Sequence, residues 1–117
     1  MAFDDLFAGI PISDYRAARP WYAQLFGREP DFDVTATECM WQLTTAGWVY
    51  IVEDPARAGH ALVTLLVDDL DAHLAAISAR GLTLNPGETM PGGVRTATIA
   101  DTNGNLIKFS QSPTDAN

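Results

Sequence analysis

Apolar residues recur in two patterns along the chain, and the two patterns come round twice. "FAGIPISDYRAARPWYAQLFG" (7–27) is an apolar run, an aspartate, a stretch of helical spacing and a glycine. "LVTLLVDDLDAHLAAISARG" (62–81) has the same order about 55 residues later. Ala18, Trp21, Tyr22, Leu25 and Phe26 fall at the spacing of one helix face, and Leu70, Leu74 and Ile77 do so in the second copy. Asp14 and Asp69 precede these helices, where a carboxylate can accept the unpaired backbone N–H groups of the first turn. Gly27 and Gly81 follow them and fit the left-handed position after a helix. Pro20 falls inside the first pattern and predicts a kink or a later start.

Strand-like runs follow each helix, over 32–37, 39–45 and 48–53 and then over 82–84, 94–100 and 105–110. "TAGW" (45–48) and "TNGN" (102–105) read as hairpin turns, the second on the Asn-Gly signal. Each half is therefore β-α-β-β-β. The Pro- and Gly-bearing segments "EDPARAG" (53–59) and "NPGETMPGG" (85–93) read as loops, one joining the halves and one bordering a pocket. The fold expected is α+β: one domain over 1–117, with module one at 1–55, module two at 59–112 and a disordered tail at 113–117.

Composition narrows the function. Net charge is −8, which disfavours nucleic acid and anionic membrane and favours a cationic ligand. No run is long enough to span a bilayer. The N-terminal "MAFDDLFAG" is acidic and lacks the basic start of a secretory signal. Cys39 is the only cysteine, so neither an internal disulfide nor a cysteine-based metal centre is available. A cytoplasmic protein is expected.

Two stretches carry a resemblance. "IPISDYRAARPWYAQLFG" and "ADTNGNLIKFS" resemble the strand-Asp-helix-Gly opening and the closing Asp-Pro-Asp-Gly-Asn hairpin of the vicinal oxygen chelate superfamily, with Thr102 in place of the proline. That superfamily includes glyoxalase I, extradiol dioxygenases and bleomycin-resistance proteins. The resemblance implies two modules curling their sheets around one cavity, and commonly a homodimer. It also implies where metal-dependent members hold their metal: seven residues before each capping aspartate and four after each hairpin glycine. Those positions read Phe7, Ile51, Leu62 and Lys108. Phe, Ile and Leu offer no lone pair, and an ammonium repels a cation, so no metal or cofactor is expected.

Strand alternation then sorts the side chains. Ala8, Ile10 and Ile12 are expected against a helix, with Phe7 toward the cavity. An even-numbered hairpin at Ala46-Gly47 sets Gln42 opposite Ile51 and Met40 opposite Glu53. The expected ligand-binding wall is Phe7, Met40, Gln42, Thr44, Ile51, Glu53, His60, Leu62, Thr64, Leu66 and Lys108. Trp21, Trp41 and Trp48 are expected in the core or at a dimer interface. No nucleophile, base and acid come together, so no catalytic residue is assigned. The function expected is a metal-free homodimeric binder of an antibiotic or hydrophobic metabolite. The alternative is an enzyme of the same superfamily, metal-free through Glu53, His60 or Lys108, or metal-dependent.

Overall fold

A computed structural model describes residues 2–113, without the side chains of residues 86–88; the tail expected at 113–117 lies outside it from residue 114 on. The elements run β1 (Leu6–Ile12), α1 (Tyr15–Phe26), β2 (Phe32–Thr35), β3 (Glu38–Thr44), β4 (Gly47–Glu53), β5 (Leu62–Leu66), α2 (Leu70–Ala79), β6 (Asn85–Thr89), β7 (Arg95–Ala100) and β8 (Leu106–Gln111). They form two four-stranded sheets, ordered β1-β4-β3-β2 and β5-β8-β7-β6. In each sheet the first strand pairs parallel with the last and the other pairs are antiparallel. None of the described helices is long and apolar enough to cross a membrane.

The caps form as the sequence predicts. Asp14 accepts from the Ala17 N–H at 3.4 Å and Asp69 from the Ala72 N–H at 3.1 Å. Gly27 takes φ +80°, and its N–H donates to the Ala23 carbonyl. α1 continues through Pro20, which is exposed. One expected strand is displaced. Residues 82–84 form no strand, although Leu84 is buried, and β6 lies at Asn85–Thr89 in the segment read as a loop. β6 is an edge strand, where a proline's missing N–H costs no ladder bond, and its register shifts between Asn85 and Glu88.

Each helix covers one face of its own sheet. Ile10, Ile12, Tyr22, Leu25, Trp41 and Ile51 fill the first layer, and Leu70, Ile77, Ile107 and Phe109 the second, in one continuous core. The "DTNGN" hairpin joins the modules. Asp101 and Asn105 are buried. The Tyr22 hydroxyl donates to Asp101 Oδ2 at 2.6 Å, and Asn105 Nδ2 donates to that oxygen and to the Pro11 carbonyl, both at 2.8 Å. Asn103 exchanges hydrogen bonds with the Ser13 backbone and hydroxyl. A polar turn is thereby satisfied across the seam, as burial requires.

Candidate functional site

Because the helices take one face of each sheet, the other face of each is open. Paired residues share a face, so the register assigns every position. In the first sheet Ile10 pairs with Ile51 and Gly9 with Tyr50. Met40 pairs with Tyr50, Gln42 with Trp48 and Phe32 with Met40. Ile51 is fully buried on the helix side. Phe7, Phe32, Met40, Gln42, Trp48 and Tyr50 share the open side.

This overturns the expected β4 parity. Ile51 and Glu53 do not face the open side; Trp48 and Tyr50 do. Thr44 pairs with Gly47, which sets the turn at residues 45–46, and a register irregularity between Gln42 and Thr44 adds one more step, so Gln42 stands opposite Trp48, an odd three residues from the expected Ile51. A one-residue change of register turns every side chain to the other face. Glu53 instead accepts from the Tyr15 N–H at 3.1 Å and satisfies the start of α1.

The open side of the first sheet is an aromatic platform. Phe7 stacks on Trp48, with centroids 5.6 Å apart and planes at 17°. Phe32 lies 5.8 Å from the same indole. Phe7 remains 48% and Phe32 58% exposed. Trp48 Nε1 donates to Asp5 at 2.9 Å, which fixes the ring edge. The Tyr50 ring lies over Gly9: a Cβ built on Gly9 would be 2.5 Å from the phenol oxygen. Gln42 donates its side-chain N–H to the Thr45 carbonyl at 2.9 Å and so braces the hairpin. Sequence reasoning missed Phe32, Trp48 and Tyr50. The available signal was the parallel pairing of β1 with β4, which ties the parity of β4 to the helix-facing Ile10.

On the second sheet Leu62, Thr64 and Leu66 share the open face with Lys108, which pairs with both Thr64 and Thr98. Leu62 is 79% and Leu66 70% exposed. His60 is exposed two residues before β5 begins. Thr44 ends β3, exposed, at the hairpin.

Several titratable groups with displaced pKa lie on the helix side, while Asp31, ahead of β2, is held low by the Gln42 backbone N–H and by Arg28. Burial, with a hydrogen bond to Cys39, pushes the Tyr15 phenol up to about 12. Burial also raises the Cys39 thiol. Arg19 contacts Glu29 and Asp33, both at 3.0 Å, and closes this group. Tyr22 is held neutral by burial and by its bond to Asp101.

Superposing the modules by their strand pairing makes Tyr50, not Ile51, the counterpart of Lys108: Gly9 pairs with Tyr50 as Thr64 pairs with Lys108. The four positions implied for a metal therefore hold Phe7, Tyr50, Leu62 and Lys108. Two hydrocarbons, a phenol and an ammonium are not a donor set for a divalent cation. Among the described residues no three His, Cys, Asp or Glu side chains gather.

A second concavity, of about 560 Å³, lies at the seam of the modules, with Leu43, Thr44, Leu66, Asp68 and Ile77 in its wall. These are the positional counterparts of Asp101, Thr102, Pro11, Ser13 and Tyr22. The hairpin that locks one side of the seam thus has an unlocked twin, in which Leu43 stands for Asp101, Ile77 for Tyr22 and Gly47 for Asn105. The cleft is the space that missing network leaves. Its wall also holds Arg80, whose guanidinium donates to the Gln24 and Leu25 carbonyls at 2.6 and 2.8 Å and is thereby engaged with α1.

The profile of the Glyoxalase/Bleomycin resistance protein/Dioxygenase superfamily matches residues 6–109. No curated protein matches the chain. Among solved structures, a glyoxalase/bleomycin resistance protein from Catenulispora acidiphila DSM 44928 is 46% identical, with a TM-score of 0.88 over 93% of this chain and 98% of that one. A bleomycin-binding protein complexed with bleomycin is 19% identical, with a TM-score of 0.77 over 94% of this chain and 99% of that one. A lactoylglutathione lyase from Agrobacterium tumefaciens is 15% identical, with a TM-score of 0.73 over 91% of each. At these last two identities the likeness is one of fold.

Proposed function

The chain belongs to the Glyoxalase/Bleomycin resistance protein/Dioxygenase superfamily, and from that premise we propose that it is a metal-free binding protein for a small, flat, largely apolar molecule, working as a cytosolic homodimer. An antibiotic or a hydrophobic metabolite fits this description. The observation that carries the reading is the exposed stack of Phe7 and Phe32 on Trp48. Aromatic side chains left in water gain most from a flat partner, through burial and offset stacking. An apolar wall with a few polar groups is the usual make-up of a small-molecule site, and the open face of the other sheet, with Lys108 and Thr64, would supply the polar groups where a second copy brings the two faces together.

The same reading explains the donor set at the four superfamily metal positions: Phe7 and Leu62 serve contact, not coordination. Acid–base chemistry has weaker support. Glu53 is committed to α1, while Lys108 stands on the open side of the other sheet.

Thermal shift against a panel of flat aromatics, bleomycin included, tests the proposal. A ligand at a hundred times its Kd stabilises the native state by about 2.7 kcal/mol and must raise Tm. Trp48→Ala must abolish that rise while leaving the circular dichroism spectrum intact. A panel that moves Tm in neither protein refutes the reading, and so does one metal ion per chain in the purified protein.

A further inference from the structure

The doubled fold allows a row-by-row comparison of the two open faces. Across the first sheet one row reads Gly9, Tyr50, Met40, Phe32, each in register with the next. The equivalent row of the second sheet reads Thr64, Lys108, Thr98, Asn85, again in register through all four strands. One row is aromatic and apolar. The other is an ammonium with a hydroxyl on each side and an amide beyond. Strands about 4.8 Å apart place both threonines within reach of any group that meets the lysine.

Lys108 is the only lysine in the chain. Arg19, Arg28, Arg57 and Arg95 pair with carboxylates, Arg80 is spent on helix carbonyls, and Arg16 stands exposed on α1, away from both open faces, with no ion pair among the described residues. Lys108 enters no ion pair among the described residues and is exposed. A cationic ligand centred on this row would meet a like charge and be repelled. An oxyanion would gain by the same interaction and accept from three donors.

We propose, building on the binding function above, that the ligand is an aromatic or flat apolar body carrying one oxyanion, a carboxylate, sulfonate or phosphate ester. The oxyanion is held by Lys108 with Thr64 and Thr98, and the body lies on the platform of Phe7, Phe32 and Trp48 that a second copy, in the homodimer proposed above, lays against this row. The local contact thus selects a charge opposite to the one the net −8 of the chain would favour. The platform supplies affinity and the lysine row supplies the choice of charge.

The test uses a matched pair of fluorescent probes, 8-anilinonaphthalene-1-sulfonate and its uncharged analogue N-phenyl-1-naphthylamine. A hydrogen bond to a charged group contributes about 1.5–3 kcal/mol, so the wild-type protein should bind the sulfonate about tenfold or more tightly than the neutral probe. Lys108→Met should bring the two affinities together, Lys108→Arg should keep the preference, and Thr98→Val should reduce it. Trp48→Ala should weaken both probes alike. Equal binding of the two probes by the wild type, or a preference that survives Lys108→Met, overturns the oxyanion assignment and leaves the aromatic binding site standing. Failure of both probes to bind the wild type overturns the binding site and the assignment together.

Discussion

Tyr50 and Gly9 show how much of the site depends on a missing methyl group. Gly9 has an ordinary strand conformation, so its role is space, not backbone freedom. Gly9→Ala would push the Tyr50 ring off the sheet. That ring is the free end of a side chain on an open face, so stability should change by less than about 1 kcal/mol. Probe binding at the platform should nevertheless fall, and the two readouts together identify a positional effect. Tyr22 is the opposite case. It is fully buried and donates its proton to Asp101. Tyr22→Phe leaves that carboxylate short of a donor and should cost about 1–3 kcal/mol in urea unfolding. The hydroxyl also sets a pH limit. Folding raises its pKa above the value of about 10 it has when unfolded. Its contribution is therefore complete below pH 10 and lost above it, because there the unfolded state releases a proton that the native state keeps. The slope is about 1.4 kcal/mol per pH unit. Unfolding midpoints measured from pH 8 to 11 should fall more steeply for the wild type than for Tyr22→Phe; parallel curves would mean that Tyr22 ionises in the native state.

Elements were legible in the sequence wherever the signal was local. Asp14 and Asp69 read as caps because a carboxylate before an amphipathic run has few other uses, and the hairpin at Asn103-Gly104 carries its own turn chemistry. The repeat gave the module order. β4 was illegible in one respect: "GWVYIVE" is apolar on both faces, so alternation alone could not choose its inner side, and the choice hung on a hairpin whose irregularity leaves no mark in composition. The strands read by alternation alone suffered no such error. Phe7, Leu62, Thr64 and Leu66 stand on the faces that β1 and β5 alternation assigned to them, and Lys108 on the face that the resemblance implied, whereas Ile51 and Glu53 lie on the helix side. The helix–helix tie was also invisible, since it joins residues far apart in sequence through main-chain oxygens. Arg80 donates to the carbonyls of Gln24 and Leu25, and so satisfies the C-terminal end of α1 from α2. Arg80→Met keeps the aliphatic stem and removes the donors. It should lower stability by about 1.5–3 kcal/mol in urea unfolding; an unchanged midpoint would mean that water replaces the guanidinium without loss.

At the scale of the whole molecule, the two open faces are unfinished surface. Leu62 and Leu66 are 79% and 70% exposed on one sheet, and Phe7 and Phe32 are 48% and 58% exposed on the other. Large contiguous apolar area is uncommon on a monomer and marks an interface or a ligand groove. A second copy that lays its aromatic sheet against the threonine–lysine sheet of the first would cover both faces twice over, in a closed arrangement with two equivalent cavities. Charge opposes this association, because each chain brings a net −8, and salt screens that repulsion over about 8 Å at physiological ionic strength. The homodimer should therefore strengthen with added salt. Light scattering should give about twice the chain mass of 12.6 kDa, with the monomer fraction rising on dilution at low salt and shrinking at 0.5 M sodium chloride. Tm should rise with protein concentration, since only the native state associates. The paired substitution Leu62→Asp with Leu66→Asp places two more charges on the face to be buried, and should yield a folded monomer that has lost probe binding as well. A monomer that still binds the sulfonate probe with wild-type affinity would show that each cavity is complete within one chain, and that the exposed leucines serve the partner alone.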